Sequence, residues 1–227
     1  QVLHETVQHA RQLSAEGDHL VAGNVFESAA LYQSWEPNQL VMAIRERLLV
    51  GDEPGAQRDL EQLARLRPLR LDETLWLAAI YSRQGQAGES ATIWDAAQAA
   101  GVLDASALEM LANDAVAQQA WWQAGAALEG LTRLIPNDAR PLYRLGYIQA
   151  LDQPEQATQT LAQAVALNPN LATRLSPLQT HLLERAPQPP DGAYASLGVI
   201  YISLNQYELA ETALSRAYLY NLAYSES

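Results

Sequence analysis

The chain has 227 residues, 48% apolar and 18% charged, which is enough apolar material for a sizeable core and unlike a disordered chain. Its 14 basic residues, all arginine, face 26 acids for a formal charge of −12, which argues against nucleic acid or an anionic membrane as the main partner. With no cysteine, disulfides, thiolate metal sites and cysteine nucleophiles are excluded.

No apolar run approaches the roughly 18–20 residues of a membrane-spanning helix, and no secretory signal is present. The chain begins at Gln1, so the expectation is a piece of a longer protein whose targeting segment has been removed. Its compartment stays open, with the cytoplasm favoured.

Along the chain, Gly17, Gly51 and Gly85 recur every 34 residues, and the next steps fall on Gln119 and, in the last unit, Asn205. Glycine and asparagine suit a left-handed turn between two helices. Pro68, Pro136 and Pro169 keep a similar interval. Units written from residues 3, 37, 71, 105, 139 and 191 share one register. The twentieth position holds Ala22, Ala56, Ser90, Ala124, Ala157 and Ala210. The twenty-fourth holds Phe26, Leu60, Trp94, Leu128, Leu161 and Leu214, and the twenty-seventh holds Ala29, Leu63, Ala97, Leu131, Ala164 and Ala217. The eighth is mostly small, as at Ala10, Ala78, Ala112, Gly146 and Gly198. Small and bulky residues alternating at helical spacing predict two closely packed helices per unit, and stacked neighbours supply the burial that one pair lacks. The unit from 139 is one residue short in its turn, around Asp152–Pro154.

This register resembles the tetratricopeptide repeat family, whose unit is a helix–turn–helix of 34 residues. The best match is Tyr194, Leu197, Gly198, Tyr201, Asn205, Tyr207, Ala210, Leu214 and Ala217; the weakest is the first unit, with Thr6 and His9 at apolar positions. The resemblance implies an all-α, right-handed superhelical solenoid. Five units cover 1–171, and a sixth occupies 191–227, stopping where another would begin. Segment 172–190 reads as an inserted helix over Leu178–Arg185, started by Ser176 and Pro177 and followed by the stiff PQPP connector. A hinge after the fifth unit is the rival reading.

The chemistry-bearing motifs are few. HETVQH at 4–9 superficially resembles a zinc-binding HExxH, but His4 and His9 are five apart and lie roughly 140° around a helix, too far for one metal. No phosphate-binding glycine loop, nucleophile elbow or metal spacing is present, so no enzyme activity, cofactor or metal is expected. Trp121, at the seventeenth position, should wedge between helices, and Trp122 should cover a neighbouring unit. Tyr201 and Tyr207 should be framework facing the partner helix, leaving Ala195, Ser196, Val199 and Ile202 as a plain surface.

Family resemblance further implies that positions 2, 5, 6, 9, 12 and 13 of each unit line a concave groove. Five arginines fall there (Arg11, Arg45, Arg83, Arg140 and Arg144) but only two acids, Asp72 and Glu109, in an otherwise acidic chain. The candidate peptide-binding residues are Val41, Met42, Arg45, Leu75, Trp76, Asn113, Arg140, Tyr143, Arg144 and Tyr147, densest in the fifth unit. Arginine beside tyrosine offers forked bonds to carboxylates next to apolar area. The alternative there is that the tyrosines pack between units and the arginines pair with local acids. A carboxylate clamp of the kind that family members use for acidic tails is not matched: Glu109 stands where a cation is needed, and there is no lysine. The expected function is a non-catalytic scaffold for a protein or peptide, acidic by charge. The alternatives are a self-assembly module using exposed repeat ends and a regulatory arm of a larger enzyme.

Overall fold

The structure is a computed structural model that describes residues 2–32, 37–184 and 190–225. Among these residues the chain forms thirteen α-helices and no strand. They are α1 (Val2–Ala15), α2 (His19–Tyr32), α3 (Asn38–Leu49), α4 (Glu53–Leu66), α5 (Leu71–Arg83), α6 (Ala87–Ala99) and α7 (Ala105–Ala117), then α8 (Trp121–Leu134), α9 (Ala139–Asp152), α10 (Pro154–Leu167), α11 (Ala172–Glu184), α12 (Pro190–Ser203) and α13 (Tyr207–Ser225).

Five hairpins turn in the same way. Gly17, Gly51, Gly85, Gln119 and Asn205 all have positive φ, between 56° and 87°. In each turn the amide that follows reaches back five residues: Asp18 to Leu13, Asp52 to Arg47, Gln86 to Tyr81, Ala120 to Ala115 and Gln206 to Tyr201, all at 2.8–2.9 Å. This 6→1 bond satisfies a carbonyl orphaned at the helix end. The unit that is one residue short closes instead with Gln153 N–H to the Gln149 carbonyl, with no left-handed residue. The sequence reading missed Gly101, which ends α6 at φ +68°.

Helix pairing follows the register. Positions twenty and twenty-seven are buried in all six units, and position twenty-four in five. The exception is Leu214, 40% exposed, which rests on Gly198 with its outer side to solvent. A Cβ at Gly146 would stand 2.6–2.7 Å from Leu161 side-chain atoms, and one at Gly198 the same distance from Leu214. The eighth position is therefore small because the twenty-fourth side chain of the partner helix lies directly on its backbone.

The helices group into two compact units, 1–102 and 103–227. In 1–102, Phe26, Leu60, Leu63, Leu40, Ile44 and Leu77 fill the core. An ionic network is buried among α2, α3 and α4. Arg47 is 3% exposed and donates from Nε to Asp59 (2.9 Å), from Nη1 to Asp52 (2.6 Å), and from Nη2 to Asn24 (3.1 Å) and Glu27. Burial pushes the Asp59 carboxyl up to about 6, against the pull of Arg47. For Asp52, burial works upward, but the Arg47 bond and the Gly55 N–H hold it below the usual range. Gly55 makes room for the network, since a Cβ there would collide with the Asp52 carboxylate and the Arg47 guanidinium. Nearby, buried Glu46 accepts from Ser14 Oγ at 2.8 Å and lies 2.7 Å from His19 Nδ1.

Two expectations are corrected. The inserted helix begins at Ala172, straight out of a 3-10 turn at Pro169–Leu171, and carries Pro177 inside it. The missing proline N–H leaves only the Thr173 carbonyl without its helical donor, and both residues are solvent-exposed, while Leu175, Leu178 and Leu182 bury the opposite face. Residues 185–189 of the expected connector lie outside the described residues. Tyr207 is 61% exposed rather than packed on its partner helix, because it opens α13 and its hydroxyl turns back to Asn205 Oδ1 at 3.1 Å. Tyr201 is fully buried, as expected, and Trp121 is 8% exposed, its Nε1 donating to Thr212 of α13 at 3.2 Å.

Candidate functional site

First-helix faces are built by the hairpins: each α-helix that opens a unit is held by its partner on one side, and positions 2, 5, 6, 9, 12 and 13 are those that the repeat resemblance assigns to the other. In unit 1–102, Leu75 is buried at 4% exposure, and Val41, Met42 and Trp76 are half-buried against the core. These four are framework in part or whole, because they are buried in or packed against the core clusters of that unit. Arg45 keeps 55% of its side chain exposed, with Asp72 4.0 Å away. Arg83 pairs with Glu53.

In unit 103–227 the expected cluster is brought together, but much of it is already engaged. Arg144 bonds the Glu109 carboxylate and, at 2.6 Å, Asn113 Oδ1. Arg140, 77% exposed at its side chain, folds back onto Asp138 through three bonds of 2.6–3.1 Å, and Asp138 also accepts from the Arg140 amide at 2.9 Å. The Arg140 bond holds the Asp138 carboxyl below its ordinary range. Four of the five groove arginines thus have acid partners, two of which, Glu53 and Asp138, lie outside the groove positions. The cationic excess read from the sequence is largely cancelled locally.

Tyr143 is half-buried, its ring 5.6 Å from that of Tyr147. Arg174 of α11 stands 5.8 Å over the Tyr143 ring, a cation–π contact that the sequence did not signal because it comes from the inserted helix. Beside Arg140 and Tyr143 an open depression of about 910 Å³ is floored by Leu134, Ile135, Leu167 and Leu171.

Tyr147 is not a groove residue in this structure. It is 1% exposed, and Ala150 and Leu151, at the next groove positions, are fully buried. Of their equivalents one unit earlier, Asn113 and Ala117 are exposed and Val116 is half-buried, although a further hairpin follows them. The cover on α9 is the α12–α13 hairpin. Tyr201 Oη donates to the Tyr147 carbonyl at 2.6 Å, and Tyr194 Oη to the Leu151 carbonyl at 3.2 Å. Higher residues of α12 meet lower residues of α9, so the two run antiparallel. Arg216 of α13 grips Asp152 at 2.5 and 3.2 Å and stacks 5.6 Å from the Tyr194 ring, while Glu211 takes a 3.0 Å bond from Gln119. Successive hairpins would make first helices parallel; the single extra helix α11 reverses the sixth pair and folds it back over its predecessors.

No group of three or more His, Asp or Glu able to hold a metal occurs among the described residues, and none of their helices is long and apolar enough to cross a membrane.

Hairpins at a 34-residue interval, the repeated left-handed turn and the buried twentieth, twenty-fourth and twenty-seventh positions define an all-α helical-repeat fold. No family model matches the sequence, and no curated protein sequence does. Solved structures with a similar helical arrangement include MamA (residue 41 to the end) from Desulfovibrio magneticus RS-1, at 14% identity and TM-score 0.41 over 97% of this chain and 96% of that one. They also include YrrB, described as a TPR protein with an unusual peptide-binding site, at 14% identity and TM-score 0.37 over 98% of this chain and 91% of that one. PilW, a type IV pilus biogenesis factor, matches at 15% identity and TM-score 0.43 over 94% and 90%.

Proposed function

We propose that the chain is a non-catalytic scaffold that binds a protein or peptide on the first-helix faces of its hairpins, and that its ligand is acidic. One observation carries this reading: α9 holds Arg140 out to solvent at the depression that Tyr143 lines, and Met110 and Asn113 are exposed on α7, the first helix of the preceding hairpin. An acidic ligand would replace Asp138 on the Arg140 fork, so part of the attraction goes to breaking an existing pair. Affinity near micromolar, about −8 kcal/mol, is the expectation.

Selection of a phage-displayed random peptide library on the intact chain tests it. Enriched peptides should be acidic, and R140E/R144E should weaken them about tenfold more than R65E/R133E, which reverses two arginines assigned to outer faces. Equal losses would remove the groove from the account.

Self-assembly is favoured by a different observation. Tyr218 (65%), Leu219 (62%) and Leu222 (41%) leave an apolar stripe exposed on α13. Sizing over serial dilution should then show a concentration-dependent dimer; a monomer throughout would sink that second reading.

A further inference from the structure

The depression at the start of α9 is neutral in its own lining. Among its lining residues Asp138 is the one acid and Arg140 the one cation, and the two pair with each other. Its floor is apolar, with Leu167 still 43% exposed, and Tyr143 lines it as well. The uncancelled charge beside it comes from the inserted helix. Arg174, exposed on α11, stands 5.8 Å over the Tyr143 ring and, among the described residues, has no acid at ion-pair distance. A guanidinium held over a ring face is positioned by the ring's π-electrons, which leaves its N–H donors unused. Arg174 therefore presents an open hydrogen-bonding fork next to an apolar depression, in a chain whose formal charge is −12.

We propose that Arg174 belongs to the peptide site, and that the ligand is a linear segment with a large apolar side chain between two carboxylates. The apolar side chain fills the depression, one carboxylate takes the Arg140 fork from Asp138, and the second takes the open fork of Arg174. Charge complementarity selects this occupant. An apolar floor alone would accept any hydrophobic group, whereas one arginine over Tyr143 and another a turn earlier on its helix call for two anions. The two carboxylates are not equivalent. Displacing Asp138 offsets part of the gain at Arg140, while at Arg174 no ion pair has to break, so the acid at Arg174 contributes more of the binding. The proposal rests on the reading of first-helix faces as the recognition surface, through Arg140 and Tyr143, and adds a residue that no first helix carries.

The test pans a phage-displayed library of random linear dodecapeptides on the intact chain, then measures the most enriched peptide, fluorescein-labelled, by anisotropy. Enriched sequences should share one large apolar residue with an acid on each side. Arg174→Gln should weaken that peptide about fivefold, the upper range for an exposed ion pair, and Arg174→Lys, which keeps the charge, should lose less. Replacing one particular acid of the peptide by its amide should erase the Arg174→Gln loss while replacing the other does not, a coupling that a merely structural role for Arg174 would not produce. Leu167→Asp, which sets a carboxylate in the floor, should weaken binding about tenfold. Arg174 and Leu167 are both solvent-exposed, so neither variant disturbs the core. Unchanged affinity in Arg174→Gln, enriched peptides without an apolar residue between acids, or a dimer of the chain that Leu167→Asp disperses without affecting peptide binding would overturn the proposal. A loss in R140E/R144E beside an unaffected Arg174→Gln leaves the groove reading standing without Arg174. An Arg174→Gln loss beside equal effects of R140E/R144E and R65E/R133E faults the groove reading and keeps Arg174 in the site.

Discussion

Replacing Arg47 with methionine should cost about 3–5 kcal/mol of the stability of residues 2–102 at pH 7, the usual penalty for breaking a buried ion pair from one side. The side chain is 3% exposed and binds three carboxylates, so methionine fills similar space but leaves Asp59, 1% exposed, buried without its cation and close to the half-buried Glu27 and Asp52. Against a typical total of roughly 5–15 kcal/mol, that loss is large. Urea titration, with hydrogen exchange to locate the loss in α2–α4, measures it. A cost under about 1 kcal/mol would mean that the network is not what joins these helices.

The same site carries a pH signature. Asp59 has a folded carboxyl raised to about 6 from an ordinary 3.8. A raised acid contributes stability that is complete below about pH 4 and lost as pH rises through 6. Asp59→Asn removes that titration, so its stability relative to the parent should improve between pH 4 and 7, by on the order of 3 kcal/mol. The Arg47→Met deficit should shrink on acidification, because Asp59 can then become neutral. A deficit independent of pH would remove Asp59 from the explanation.

Glycine substitutions should split by position, although all three glycines are helical. Gly146→Ala and Gly198→Ala push a Cβ to within 2.7 Å of Leu161 and Leu214 side chains. Overpacking costs about 1–3 kcal/mol, and the helix-propensity gain of roughly 0.5–1 kcal/mol offsets only part of it. Gly192→Ala meets nothing within 4 Å, so the same propensity gain should appear as net stabilisation of up to about 1 kcal/mol. Thermal unfolding of the three variants checks the signs. Stabilisation at Gly146 would show that α9 and α10 are not in the close contact that the register requires.

Much of the hairpin design is legible in the sequence because it is set by local steric rules. A left-handed residue between two helices needs glycine or asparagine, and a bulky side chain lying on a backbone needs a small residue opposite; both leave periodic marks. Even the buried network had a trace. Arg47 holds the eleventh position, where Leu13, Tyr81 and Tyr201 stand in other units, and a charge at an interior position calls for buried partners. Its partners come from three helices and no interval announces them. The candidate site was harder to read. Arg140, Arg144 and Tyr143 do stand together, but counting charges by position could not see Asp138 and Glu53 arriving from turns and partner helices, nor Arg174 from the inserted helix.

By itself the sequence determined the helical pairs, their interval, their turns and the residues that face inward within each pair, because those depend on neighbours a few residues to one hairpin away. Only the tertiary structure decided which outward faces stay open. One inserted helix reverses the polarity of the last hairpin, so Tyr194 and Tyr201 reach back to cover Tyr147 and Leu151, which the repeat pattern alone assigns to an open groove. That outcome depends on the number and direction of helices between distant residues, a property of the whole chain path that no local pattern records.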